Sequence, residues 1–263
     1  MAINGYSSIS SNMYTPSVSA VSQSLTSGQR INQTADDAAG QAITTAFSTQ
    51  INTQDIGVQN ANMGISLLQT ADGASNSINN YLQRMNELAI QASNGTLNSG
   101  QQNSLNQEFQ QNLQAINQIT ESTSFNNQTL LNGDMSSISL ALGDSSTTLN
   151  LPTMTTDGLS ISGLDISNPA NATTAIQNLG LAIDQVSSQR SQFGAQQNGL
   201  SSYIDSTQTQ NINSNAARSQ INDTNYAKAA TEQVKQNIMQ DSAIAMQAQT
   251  NQSRASVLQL LNS

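Results

Sequence analysis

From Ile176 to Ile204 the sequence repeats in alternating three- and four-residue steps, through Leu179, Ile183, Val186, Arg190, Phe193, Gln197 and Leu200. That rhythm is the a/d seam of a coiled coil, and it commits the segment to a long helix packed along one face. Arg190 and Gln197 stand at seam positions, where polar residues cost stability and select register and partner. The other reading is an amphipathic helix that turns the same residues partly to solvent. Pro169 fits the first turn of a helix, so the helix is predicted to start within Ser167–Gln177. A second seam runs through Phe47, Ile51, Gln54, Val58, Ala61, Ile65 and Leu68 and continues less strictly through Ile78, Leu82, Met85 and Ala89. Asn94-Gly95 supplies its stop. Ser99 with Gln102 then reads as a capping box opening a third helix, with Leu105, Phe109, Leu113 and Ile116 on one side.

Between Phe125 and Ser167 the period changes. Ile138, Leu140 and Leu142 alternate with small residues, Leu149 and Leu151 flank Asn150, and Gly133-Asp134, Gly143-Asp144 and Asp157-Gly158 punctuate the runs, which predicts short hairpins. Two further helices are predicted at the ends. Tyr14, Val18, Val21 and Leu25 space one that Gly28 closes, and Val234, Ile238, Ala245 and Ala248 lie in the other. Both are thin in large apolar residues and are expected to need partners from other chains.

Composition excludes most chemistry. The chain has no His, Cys or Trp, which removes His or Cys zinc sites, disulfides and imidazole triads. No phosphate-loop, dinucleotide, nucleophile-elbow or zincin motif occurs. The adjacent Asp36-Asp37 reads as a solvated or helix-capping pair, because no calcium-type loop follows it. Seven basic residues face sixteen acidic ones, without a basic cluster, which argues against nucleic acid. The polar opening and the lack of any long apolar run argue against a cleaved signal peptide and a membrane span. Only 9% of residues are charged and 36% hydrophobic, so a thick conventional core is not expected. The expectation is a protein without enzymatic activity, cofactor or metal.

Four stretches resemble a known family. Ser24–Ile43 (SLTSGQRINQTADDAAGQAI), Asn60–Thr96 and Ser124–Gly133 (SFNNQTLLNG) closely resemble the N-terminal half of bacterial flagellins. Asp223–Ser263 resembles the flagellin C-terminus, including the closing Val-Leu-x-Leu-Leu. The departure is length, since Met135–Ser167 has room only for hairpins where familiar flagellins carry large outer domains. The resemblance implies a mainly α fold: an elongated coiled-coil helical bundle with a small β-hairpin region at about residues 125–167, and paired N- and C-terminal segments. It divides the chain into a discontinuous inner-core helical domain, 1–39 plus 223–263, and an outer helical domain, 40–222. The implied function is that of a structural subunit polymerising into the flagellar filament for motility, and a hook-filament junction protein of similar ends is the alternative. Implied partners are further copies of the chain, the flagellar export apparatus and its chaperone, hook-associated junction and cap proteins, and a host flagellin-sensing Toll-like receptor. No nucleic acid or membrane partner is expected, and the implied location is extracellular, in the filament, after export without a cleaved signal.

Site residues follow from that resemblance and from the sequence pattern together. Arg84, Glu87, Leu88 and Gln91 lie in a stretch resembling the flagellin helix that the receptor recognises, with Glu108 as a supporting contact. Arg84, Leu88 and Gln91 share a helical face. Asn86 and Asn112 stand where strongly recognised flagellins usually carry Arg, so weaker recognition is expected. Val257, Leu258, Leu260 and Leu261 form the densest apolar patch near an end and are the expected core-assembly contacts. Flagellins with reduced outer regions often carry sugars on Ser or Thr, and the turn residues Ser145, Ser146, Thr147, Thr148, Thr155, Thr156 and Ser160 are the candidates; plain turn polarity is the other reading.

Overall fold

A computed structural model describes residues 19–261, with side chains to Val257. Tyr14 and Val18, expected in the first helix, lie outside the described residues, as do the side chains of Leu258, Leu260 and Leu261. In chain order the elements are α1 (19–27), α2 (Ala38–Ala92), α3 (Ser99–Ser122), β1 (Ser124–Phe125), β2 (Gln128–Thr129), β3 (Ser137–Leu142), β4 (Ser145–Asn150), α4 (Pro169–Asn222) and α5 (Tyr226–Leu261). The protein is mainly helical with two small hairpins, as expected. It folds as two compact units, one made of Asn52–Asn211 and the other of the residues up to Ile51 and from Ile212 onward.

The larger unit, Asn52–Asn211, holds an apolar core. On α2 the buried positions run through Ala61, Gly64, Leu68, Ala71, Ser75, Ile78, Leu82, Met85, Ala89 and Ala92 without losing the three-four rhythm. The seam looks looser in the sequence because Ala71 and Ser75 carry part of it. On α4 the buried positions include Ala172, Ala175, Leu179, Ala182, Val186, Phe193 and Leu200. Ile176 and Ile183, read as seam residues, are only half-buried, and the alanines one step before them take the innermost places. A small side chain at the contact lets neighbouring backbones approach, and the larger side chains then cover the flanks. Arg190 keeps its place in the seam by an ion pair with Asp72 on α2, Nε to Oδ1 2.8 Å.

The third helix starts one residue earlier than its sequence signal. Asn98 is the N-cap: its side chain accepts from the Gln101 N–H, and Gln101 returns a bond to the Asn98 N–H. The capping box is therefore Asn98–Gln101, not Ser99–Gln102. Gln102 is freed for another task and is buried, its Nε2 donating to the carbonyls of Ala92 and Ile166, 2.8 Å each. Phe109, Leu113 and Ile116 then point into the core.

The hairpins close this unit. β1 and β2 turn on Asn126 and Asn127, both at positive φ (49° and 63°), as a two-residue type I′ turn requires. β3 pairs with β4 antiparallel around Gly143-Asp144, with Ile138 opposite Leu149. Tyr203 Oη donates to the Leu142 carbonyl (2.7 Å) and Asn60 Nδ2 to that of Ala141 (2.9 Å). Two glycines on α2, seven residues apart, make the approach possible. A Cβ on Gly57 would stand 3.0 Å from backbone atoms of Leu142 and Gly143, and one on Gly64 would stand 2.7 Å from Leu140. Leu151 is not in a strand: beyond Asn150 the chain runs as turns whose Met154, Leu159, Ile161 and Ile166 are buried in the core.

The second unit joins the two chain ends. Gln29 bridges Asp223 antiparallel, Thr224 N–H donates to the Gly28 carbonyl (2.9 Å), and Arg30 Nε donates to the Ile221 carbonyl (3.0 Å). Gly28, at φ 71°, ends α1 with its N–H on the Ser24 carbonyl. Among the described residues of this unit only Ile31 and Ile51 are buried apolar side chains, alongside Thr44, Ser214 and Gln236.

Candidate interaction surfaces

On the exposed side of α2, Arg84 is held by two carboxylates. Its Nη2 lies 2.7 Å and its Nε 2.8 Å from Glu108 Oε1 on α3, and its Nη1 lies 3.1 Å from Glu87 Oε2 one turn along. The hydrogen bonds to Glu108 and then Glu87 hold the guanidinium in its charged form even more firmly than usual. The planar fork explains why Arg suits the place, since it meets two acceptors from two helices at once. Gln91 lies exposed further along α2. Leu88 does not belong to the displayed face. It is fully buried in the apolar core of the larger unit, while Arg84, one turn earlier, is exposed. Asn86 and Asn112 are half-buried, and Asn86 Oδ1 and Asn112 Nδ2 have no hydrogen-bond partner in the fold.

α5 displays the opposite of an ordinary amphipathic pattern. Gln236 is buried while Val234, Ile238, Ile244, Met246 and Val257 are exposed. Val234 and Ile238, one turn apart, lie on the side of the helix away from Gln236. Sequence periodicity found Val234 and Ile238 but not Ile244 or Met246.

The loop between α1 and α2 is tied by the two adjacent acids. Asp36 accepts from the N–H groups of Asn32 and Gln33, 3.0 Å each, and Asp37 accepts from the Gly40 N–H (2.8 Å) in the first turn of α2. These backbone donors pull both carboxyl groups below their ordinary range. The capping reading of the pair therefore holds for Asp37, and Asp36 pins the loop. Asp165 does the same before α4, its carboxyl lowered first by Ser167 and then by Asn171.

Ser145, Ser146, Thr147 and Thr148, expected in a turn, lie in β4 instead. Of the candidate hydroxyls, Ser145, Ser146, Thr148 and Ser160 are exposed, and Thr147 and Thr155 are half-buried. Thr156 is buried, with its Oγ1 3.0 Å from Asn117 Oδ1, so it is withdrawn from the exposed set. Among the described residues no His, Cys, Asp and Glu group of metal-site size is present, and no helix is long and apolar enough to cross a membrane.

Comparison with known proteins assigns the chain to one family. The description "bacterial flagellin N-terminal helical region" matches residues 1–136, and "bacterial flagellin C-terminal helical region" matches residues 176–261. Flagellin of Halalkalibacterium halodurans is 40% identical over 244 residues, covering 91% of this chain and 90% of that protein. Flagellin of Bacillus subtilis is 34% identical over 276 residues, 91% of each chain. The crystal structure of Bacillus cereus flagellin is 33% identical, with a TM-score of 0.52 over 57% of this chain and 88% of that one. Matching such relatives over about nine-tenths of both lengths, and carrying no more than two hairpins between its helical regions, this chain belongs to the bacterial flagellins, in a short form, and is a structural subunit of the flagellar filament.

Proposed function

We propose that the chain assembles by burying the bare apolar side chains of its terminal helices against further copies of itself, so that the ends, 1–39 plus 223–263, form the inner part of the filament and 40–222 the outer. The observation that carries this reading is the exposure of Val234, Ile238, Ile244 and Met246 on a helix whose own unit buries glutamine instead. Burying one such side chain between copies stabilises by about 1.5–3 kcal/mol. Repeating one such contact between unlike faces generates an open helical polymer. The closing Val257, Leu258, Leu260 and Leu261 are assigned to assembly from the sequence, as the densest apolar cluster near an end. Export by the flagellar apparatus with its chaperone, capture between junction and cap proteins, and an extracellular location follow from the family. Removing Val257–Ser263 tests the reading: the expected result is a folded chain that no longer sediments as polymer, and normal polymerisation overturns it.

A second reading concerns the Arg84 face. Its carboxylate-braced guanidinium, with Glu87, Gln91 and Glu108, is rigid and exposed, which suits an anchor for a host flagellin-sensing receptor at low ordering cost. Arg84→Ala is expected to weaken binding of the soluble chain to the receptor ectodomain by tenfold or more. Unchanged affinity removes the reading. For the hairpin hydroxyls, intact mass of the native protein tests glycosylation at Ser145, Ser146, Thr148 and Ser160.

A further inference from the structure

The chain contains four Asn-Gly pairs, at Asn4, Asn94, Asn132 and Asn198. An Asn before Gly is the arrangement most open to attack by the following backbone nitrogen, because no Cβ screens it. The first pair lies outside the described residues. Asn198-Gly199 lies inside α4, where the backbone N–H is spent along the helix axis. Asn132 is held at both ends of its amide: Nδ2 donates to the Asp134 carboxylate and Oδ1 accepts from the Asp134 N–H.

Asn94 is placed differently. It opens the turn after α2, and its Oδ1 accepts from both the N–H and the hydroxyl of Thr96, at 3.2 and 2.9 Å. Neither its Nδ2 nor the Gly95 N–H is engaged in a hydrogen bond, and open space surrounds Gly95. Both Asn94 and Gly95 are exposed. The two Thr96 donors therefore sit where negative charge develops when a nucleophile adds to the amide carbon, and the nucleophile and leaving group are both free.

We propose that Asn94-Gly95 is a self-modifying turn, at which the folded chain converts Asn94 to aspartate and isoaspartate. The Gly95 nitrogen loses its proton and bonds to Asn94 Cγ. The Cγ–Nδ2 bond breaks, and the amide nitrogen departs with a proton as ammonia, leaving a cyclic imide. Water then adds to one of the two imide carbonyls; the bond from that carbon to nitrogen breaks, and nitrogen takes up a proton. Addition at Cγ gives aspartate, and addition at the main-chain carbon gives isoaspartate. The product adds a negative charge to a chain already at -9. It does so just past the last residue of α2, where the carbonyl ends are already negative, and on the wall of a recess of about 430 Å³ that Asn94 shares with Gln91, Gln101 and Leu105. The turn would thus mark the age of a subunit on the surface beside Gln91.

The soluble full-length chain is held at mildly alkaline pH, and peptide masses with isoaspartate detection are followed with time. Asn94 is expected to convert at least tenfold faster than Asn132 and Asn198. Thr96→Val is expected to slow it by about tenfold, less than the roughly 10²–10³ that removing one such donor costs in a buried site, because Asn94 is exposed to water. Gly95→Ala is expected to slow it further. In denaturant the three rates are expected to converge. Equal rates in the folded chain, an unchanged rate in Thr96→Val, or a ranking that survives denaturant would each overturn the proposal.

Discussion

The two units use the same helical rhythm to opposite ends. In the larger one the seam carries Leu68, Ile78, Leu82, Phe109, Phe193 and Leu200, all buried within one chain. In the other the described residues bury Thr44, Ser214 and Gln236 at comparable places, and leave Val234, Ile238 and Ile244 outside. Identical periodicity thus encodes a self-sufficient core in one case and an unfinished one in the other. The difference lies in which side of the helix meets its own chain. That division fits the assembly proposed above, in which one unit completes its core within the chain and the other would draw its apolar burial from neighbouring copies.

The contrast breaks most sharply at single side chains. Phe109→Ala is expected to cost about 3–5 kcal/mol in denaturant unfolding of the soluble chain, since Phe109 has no exposed surface and its removal leaves a cavity between helices. Ile238→Ser is expected to shift the same unfolding curve by no more than about 0.5 kcal/mol, and to lower the polymer fraction in sedimentation. If Ile238→Ser destabilises the soluble chain as Phe109→Ala does, the terminal helix already has a core of its own, and the comparison fails.

Glycines sharpen the description of the larger unit. Gly57→Ala is expected to cost about 1–3 kcal/mol, because its Cβ would meet hairpin backbone at 3.0 Å and backbone cannot rotate aside. Gly73→Ala, on the same helix with nothing within 4 Å, is expected to gain about 0.5–1 kcal/mol by restricting the unfolded chain. Thermal unfolding of the two variants reads opposite signs. Equal signs would mean that the hairpin does not seat on α2 as described. Caps give a smaller effect: Asn98→Ala is expected to cost about 1 kcal/mol and Ser99→Ala only a few tenths.

Much of this architecture was legible because large apolar residues mark helices and hairpins by their period. Pro169 and Gly28 mark a start and a stop by chemistry that other residues lack, and the structure uses both. What escaped was carried by small or polar side chains. Ala175 and Ala182 displace Ile176 and Ile183 from the seam, and hydrophobicity alone ranks the wrong residue first. Gly57 and Gly64 read as weak helix positions, and only the hairpin lying on them gives the reason. Glu108 was reached only through the family resemblance, because its contact with Arg84 spans twenty-four residues and leaves no mark in the local pattern. Leu88 shares a helical face with Arg84 on a wheel, yet a helix covered on two sides leaves only a narrow strip in the open. Burial of Thr156 by Asn117 had no local signal, because the partner lies on α3, thirty-nine residues away.

The smallest expected effect is on acidification, and it tests whether the loop of the terminal unit is held in the way the first turn of α4 is. Asp36 and Asp37 in one unit and Asp165 in the other have carboxyl groups lowered from the ordinary 3.8 by hydrogen bonds that only the ionised form accepts fully. A carboxyl group depressed in the folded chain stabilises above its unfolded value, and that contribution fades as pH falls through the folded one. The exposed position of Asp36 and Asp37 keeps the contribution small. The measurement is therefore local: amide shifts of Asn32, Gln33, Gly40 and Ser167, followed by NMR, are expected to titrate with midpoints below 3.8. Because the terminal unit buries so little apolar surface of its own, the Asn32, Gln33 and Gly40 signals are expected to lose dispersion on further acidification before Ser167 does. Midpoints at or above 3.8 would show that these carboxylates do not tie the loop, and simultaneous loss at all four amides would erase the difference in autonomy between the two units.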